Sequence, residues 1–158
     1  MNRDDNGRTR PEAGASTDSD GEEPIVQQDI QTLADKLAIR ELFDEYCLRL
    51  EVNDFEEWLD LFTPDAVYDV HRRTLNGRDE TRALLSLAPH GVHIGGALRI
   101  ELDGDRAETI QNYAFYADDP ARSNQGWYYR TVVRTAEGWR IAHTRVKMQK
   151  QARPAAQA

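Results

Sequence analysis

The chain has a single cysteine, two methionines and no apolar run near the ~20 residues that a membrane span needs. Cys47 alone excludes an intramolecular disulfide, and its apolar helical setting suggests a buried thiol rather than a nucleophile. Positive charge is scarce, with 20 Lys and Arg against 28 Asp and Glu. The resulting net charge of −8 argues against a nucleic-acid partner, because phosphate backbones are bound by basic surfaces. No glycine-rich loop follows a strand and opens a helix, so no nucleotide cofactor is expected. His90 and His93 stand three apart, but no third ligand follows at a recognisable spacing, and no metal is expected. The N-terminus has arginines without an apolar h-region, so the expectation is a cytoplasmic protein without a secretory leader.

What the chain contains is unevenly spread. Residues 1–24 carry seven acidic and three basic residues, and Met1, Ala13 and Ala15 as their apolar side chains. Such a segment buries too little surface to offset its ordering entropy, and the composition predicts a disordered tail over 1–25. A second tail is expected at 150–158, leaving one domain over 26–149.

Within that domain, Ile30, Leu33, Leu37, Leu42, Phe43, Tyr46 and Leu50 recur at helical spacing, with Asp29 as a candidate N-cap. A short helix is expected over 54–62, ended by Pro64, and a short strand over 66–71. Asn76-Gly77 reads as a turn, and Asp79 as the cap of a helix over 80–87. Strands follow near 93–102, 107–117, 127–135 and 139–148, with Asp103-Gly104 and Ala136-Glu137-Gly138 as turns. Helices grouped ahead of a meander imply an α+β domain, a curved antiparallel β-sheet packed on a long N-terminal helix. A sheet curled over a helix leaves a cone whose open end can hold a small ligand.

The stretch His90-to-Asp105 poses a parity problem. In an unbroken strand His93 shares a side with Arg99 and Glu101, opposite Leu98, Ile100 and Leu102. Glycine admits the backbone of a β-bulge, so a bulge at Gly95-Gly96 is expected to turn His93 into the cone.

Several stretches resemble, in order, the SnoaL-like branch of the nuclear-transport-factor-2-like cone fold. They are Ala38-Ile39-Arg40-Glu41-Leu42 with Tyr46, then Glu51, Asp54 and Trp58, then Leu61-to-Tyr68. Gly77-Arg78, His93, Asp103-to-Ala107, Val132-to-Thr135 and Gly138-to-Ala142 complete the set, spanning about residues 33–146. The resemblance implies a cone-shaped sheet and a pocket. Similar families include polyketide cyclases, scytalone and bile-acid dehydratases, a lindane dehydrochlorinase and steroid isomerases. Non-catalytic small subunits of ring-hydroxylating dioxygenases share the fold.

In dehydratase-like members a carboxylate at the end of the first helix and a histidine after the third helix do the chemistry. By position these are Glu51 and His93, while Tyr46 matches a pocket-lining tyrosine. Two departures stand out: the usual residue at Glu51 is Asp, and the strand over 107–117 lacks the histidine that scytalone dehydratase has there. The implied function is a cofactor-free lyase or isomerase, of dehydratase or cyclase type, acting on a small hydrophobic cyclic or polyketide-like substrate. Proton transfer would run through Glu51 and His93, with Tyr46, Tyr68 or Asn112 donating to the substrate oxygen. The alternatives are a dioxygenase small subunit and a small-molecule binding module. Trp127-Tyr128-Tyr129 predicts a homo-oligomer, a dimer or trimer, through the open sheet face.

Overall fold

A computed structural model describes residues 22–51 and 55–149; the expected tails over 1–21 and 150–158 lie outside the described residues. The elements are α1 (Glu22–Glu51), α2 (Phe55–Leu59), β1 (Phe62–Val70), β2 (Arg73–Asn76), α3 (Gly77–Leu85), β3 (Gly91–Asp103), β4 (Arg106–Ala117), β5 (Asn124–Thr135) and β6 (Gly138–Met148). The strands form one six-stranded sheet in the order β2-β1-β6-β5-β4-β3.

The meander from β3 to β6 follows the expected pattern. The sheet is mixed rather than antiparallel throughout, because β1 runs parallel to β6. Pro64 falls inside β1 instead of ending a helix. Its place is legible in the pairing, which skips from Phe62–Ile141 to Val67–His143 around a residue with no N–H to give. Strand β2 returns from β1 through His71 and Arg72, both at positive φ (51° and 63°). The cap of α3 is Asn76 rather than Asp79. Glu80 accepts from the Asn76 N–H at 2.8 Å, as an acid three or four residues inside a helix start does.

Helix α1 starts seven residues ahead of Asp29, so residues 22–25 belong to it rather than to the tail. Pro24 suits a first turn, where its missing N–H costs no helix bond. Its buried face is Asp35, Ile39, Leu42, Phe43, Tyr46 and Cys47, the 3.6-residue spacing of one stripe. Ile30, Leu33 and Leu37 lie outside that stripe and are exposed. Asp35 takes the inward position in their stead: it accepts from Arg134 at 2.6 Å, Trp139 Nε1 at 3.3 Å and Gln31 at 3.1 Å. Farther along, Ile39, Phe43 and Tyr46 pack with Trp58, Phe62, Tyr68, Tyr128, Val132 and Ile141 in one core. Each such side chain contributes about 1.5–3 kcal/mol by leaving water.

Candidate active site

β3 is an edge strand, and its pairing to β4 holds the feature that aims the site. Register runs from Gly91–Ala117 to Gly95–Tyr113, then resumes at Leu98–Gln111. Gly96 and Ala97 therefore face Asn112 alone, which is a β-bulge. Before it Gly91 and His93 lie on the half-buried side, and after it Leu98, Ile100 and Leu102 do. The bulge expected at Gly95-Gly96 lies one residue further on, at Gly96-Ala97, and it puts His93 on the same face as Leu98, Ile100 and Leu102. Glycine leaves room at both positions for the facing amide side chains. A Cβ at Gly95 would stand 2.6 Å from Gln111 Nε2, and one at Gly96 would collide with the Asn112 side chain.

His93 reaches a cavity of about 460 Å³ lined by Tyr68, Val70, His71, Leu85, Tyr113, Phe115, Tyr128, Arg122, Asn124 and Val146, among others. The volume lies in the ordinary range for small-ligand sites. A groove of about 730 Å³ between α1 and the β3–β4 turn is larger, but its lining includes Gln27, Gln31, Asp35, Lys36 and Arg134, without a histidine or aromatic group. The cone cavity is where the acid–base groups converge.

The His93 ring packs 4.4 Å from that of Phe115. Burial disfavours its cation and lowers its pKa to about 4, so the imidazole is neutral at physiological pH. Its Nδ1 is buried with no hydrogen-bond partner among the described residues. Glu51 does come to His93, but its Oε1 accepts from the backbone N–H at 3.1 Å. No hydrogen bond joins this carboxylate to the imidazole among the described residues. On an edge strand alternate N–H groups lack a neighbour, and Glu51, one methylene longer than Asp, satisfies one of them.

Tyr46 and Tyr68 form a hydroxyl pair at 2.7 Å. Tyr46 is fully buried behind the cavity, while Tyr68 lines it. Burial raises both phenol pKa values, so both remain protonated donors. Asn112 stands elsewhere: Gln111 and Tyr113 point inward, and Asn112, alternating with them, is exposed on the outer face beside Trp127. That face also exposes Val92, Ile94 and Tyr116. Within the aromatic run, Tyr128 is buried in the cone whereas Trp127 and Tyr129 alternate to the other side. An imidazole–carboxylate bond does occur, at His143 Nε2 and Asp69 Oδ2 (2.7 Å), outside the cone in a groove with Thr74 and Arg106.

Sequence reasoning did not single out Tyr113, Phe115, Tyr128, Arg122 or Asn124 as cavity groups. Tyr113 donates to Asn124 Oδ1 at 2.8 Å, and burial pushes its pKa up to about 12. Its ring stacks on Tyr128 with centroids 4.3 Å apart. Strand parity carried from His93 across to β4 and β5 would have found the aromatic members.

An uncharacterised protein of Mycobacterium tuberculosis is 29% identical over 125 residues, covering 71% of this chain and 84% of its own. Among solved structures, an NTF2-like protein with a cystatin-like fold from Novosphingobium aromaticivorans superposes with a TM-score of 0.73 at 21% identity, over 87% of this chain and 94% of that one. The hexachlorocyclohexane dehydrochlorinase LinA-type3 from Novosphingobium barchaimii does so with a TM-score of 0.69 at 17% identity, over 77% and 91%. These two likenesses concern the fold. The profile of the SnoaL-like domain matches residues 31–145, and the chain belongs to that family.

Proposed function

We propose that the cone cavity carries out cofactor-free proton transfer on a small, largely apolar cyclic substrate, as a lyase or isomerase of the dehydratase or cyclase type. The observation that carries this reading is the bulge, which turns a neutral, half-buried imidazole into an aromatic cavity beside a tyrosine donor. His93 accepts the proton of a C–H bond next to a carbonyl through its unprotonated ring nitrogen. The bond's electron pair moves onto the carbonyl oxygen, where the Tyr68 hydroxyl, supported by Tyr46, donates to it. A leaving group then departs with its electron pair, or the proton returns at another carbon. Glu51 acts on this chemistry by holding the His93 backbone. A positioned general base contributes about 10²–10⁴-fold when its pKa lies near the working pH, and less where burial lowers it as it does for His93.

The test is solvent deuterium exchange into cyclic ketones, followed by NMR, which detects elimination and isomerisation alike. Exchange above buffer with wild type that disappears in His93→Ala supports the reading. A wild type that exchanges nothing across the panel, or a variant as fast as wild type, overturns it.

A second reading, a non-catalytic subunit or binding module, is favoured by the absence of a carboxylate on the His93 ring among the described residues. Recovery of the native protein in a stoichiometric complex with an oxygenase large subunit would support it over catalysis. The homo-oligomer remains a proposal as well, supported by the exposed apolar residues Val92, Ile94 and Tyr116 on the outer sheet face.

A further inference from the structure

Beneath the cavity lies a cation that the proton-transfer scheme does not use. Arg130 is 1% exposed and forms no ion pair with a carboxylate among the described residues. Its Nη1 donates to Gln111 Oε1 at 2.9 Å, while Nε and Nη2 have no hydrogen-bond partner among the described residues. The guanidinium carbon stands 4.4, 4.3 and 4.0 Å from the ring centroids of Phe43, Tyr46 and Tyr128. An unpaired buried charge is costly, and three ring faces offset only part of the lost hydration. Guanidinium does not escape by deprotonating. The titratable groups around it are Tyr46 and Cys47 on α1, Tyr68 on β1, Tyr113 on β4 and Tyr128 beside it on β5, and burial keeps every one protonated and neutral. His93 on β3 is neutral too.

Among the described residues no carboxylate pairs with this charge, the acids near it being Asp44 and Glu51, which act on Cys47 alongside Arg130, and its potential reaches the cavity by two short routes. Tyr128 touches Arg130 and lines the cavity. Tyr46 touches Arg130 and bonds the hydroxyl of Tyr68, which lines the cavity as well. We propose that Arg130 makes the cone selective for ring ligands bound as oxyanions, phenolates or enolates, with the charged oxygen at the Tyr68 hydroxyl. Arg130 is a positioning residue: it touches no ligand and acts through the tyrosine pair and through space. The substrate class this implies is an acidic phenol or an enolisable cyclic dicarbonyl, and cationic amines are disfavoured. The inference rests on the cone being a ligand pocket.

The probe is 4-nitrophenol, which ionises near neutrality and changes colour on doing so, with 4-nitroaniline as a non-ionising companion. Absorbance titration of each with the full chain across pH gives affinity and ionisation state together. The expected result is a bound nitrophenol that ionises about one unit lower than free, equivalent to phenolate binding on the order of tenfold tighter than phenol. Arg130→Met should abolish that shift while nitroaniline affinity stays within about twofold, and Arg130→Lys should restore part of the shift. Nitrophenol bound with an unshifted midpoint, or a shift that survives in Arg130→Met, overturns this inference and leaves the pocket standing. If neither probe binds wild type, the pocket reading falls and this inference falls with it. The wild-type midpoint decides even where the Met variant does not fold.

Discussion

The carboxylate of Glu51 meets the backbone of His93, 3.1 Å from its amide nitrogen, and so links the end of α1 to an edge strand 42 residues away. Gln at this position keeps an acceptor oxygen of the same reach. Glu51→Gln is therefore expected to retain most activity and stability, whereas Glu51→Ala should cost about 1–2 kcal/mol in a urea titration. A Gln variant as inactive as His93→Ala would show instead that the charge itself takes part in the chemistry.

Acid should act on stability through His93. Its folded pKa, about 4, lies below the ordinary 6.5, so between these values the unfolded chain binds the extra proton. Stability is then full above about pH 6.5, falls as pH drops and levels off below about 4, a loss of at most about 3 kcal/mol. Asp35 has a lowered pKa, chiefly from its Arg134 partner, and its contribution is lost only at still lower pH. Urea titrations of wild type and His93→Asn at pH 7.5 and 5 separate the two groups. Equal losses in both proteins would exclude His93 as the sensor.

The Tyr46–Tyr68 pair calls for a double-mutant cycle. Removing one hydroxyl strands the other in the core, so each single Phe variant should lose about 1–2 kcal/mol. The double variant should lose less than the sum, because no buried hydroxyl is left unpaired. On activity, Tyr68→Phe should cost about 10²-fold, the loss seen when one oxyanion donor is removed. Strictly additive stabilities would mean the two hydroxyls do not depend on each other.

At the other end of α1, Asp35 sits among Arg134, Trp139 and Gln31 with its side chain 7% exposed. Asp35→Ala should destabilise by about 3 kcal/mol, since it deprives a partly buried arginine of its nearest partner and leaves the Trp139 N–H unbonded. Thermal melting of this variant against Ile30→Ala, an exposed site on the same helix, should show a fall confined to Asp35. Comparable shifts in both would argue against the buried ion pair as the anchor.

The meander, the cone and the inward turn of His93 were legible because alternation is a local property. Arg99 and Glu101 conflict with His93 in parity, and a glycine pair stands between them. Asn112 was misplaced for a related reason. The inward side of β4 includes Thr109 and Gln111, so its polarity does not announce which face is buried. Arg130 was given no role from the sequence, although it shares the parity of Tyr128 and Val132. The target of Glu51 could not be read, because a bond to a backbone amide leaves no trace in residue types. The parallel pairing of β1 with β6 was equally hidden, joining residues more than seventy positions apart with no short-range signal.

That last pairing has a kinetic consequence. β6 is made last yet lies in the middle of the sheet, between β5 and a β1 that emerged long before it. During synthesis β1 and β2 can form only a hairpin covered by the helices made around it, with no neighbouring strand, and must wait for the final strand to dock. Tyr68 arrives with β1 and His93 with the meander, so the donor and the base first meet in the closing step of folding. A chain stopped before residue 138 would carry every candidate catalytic side chain and still have no cavity.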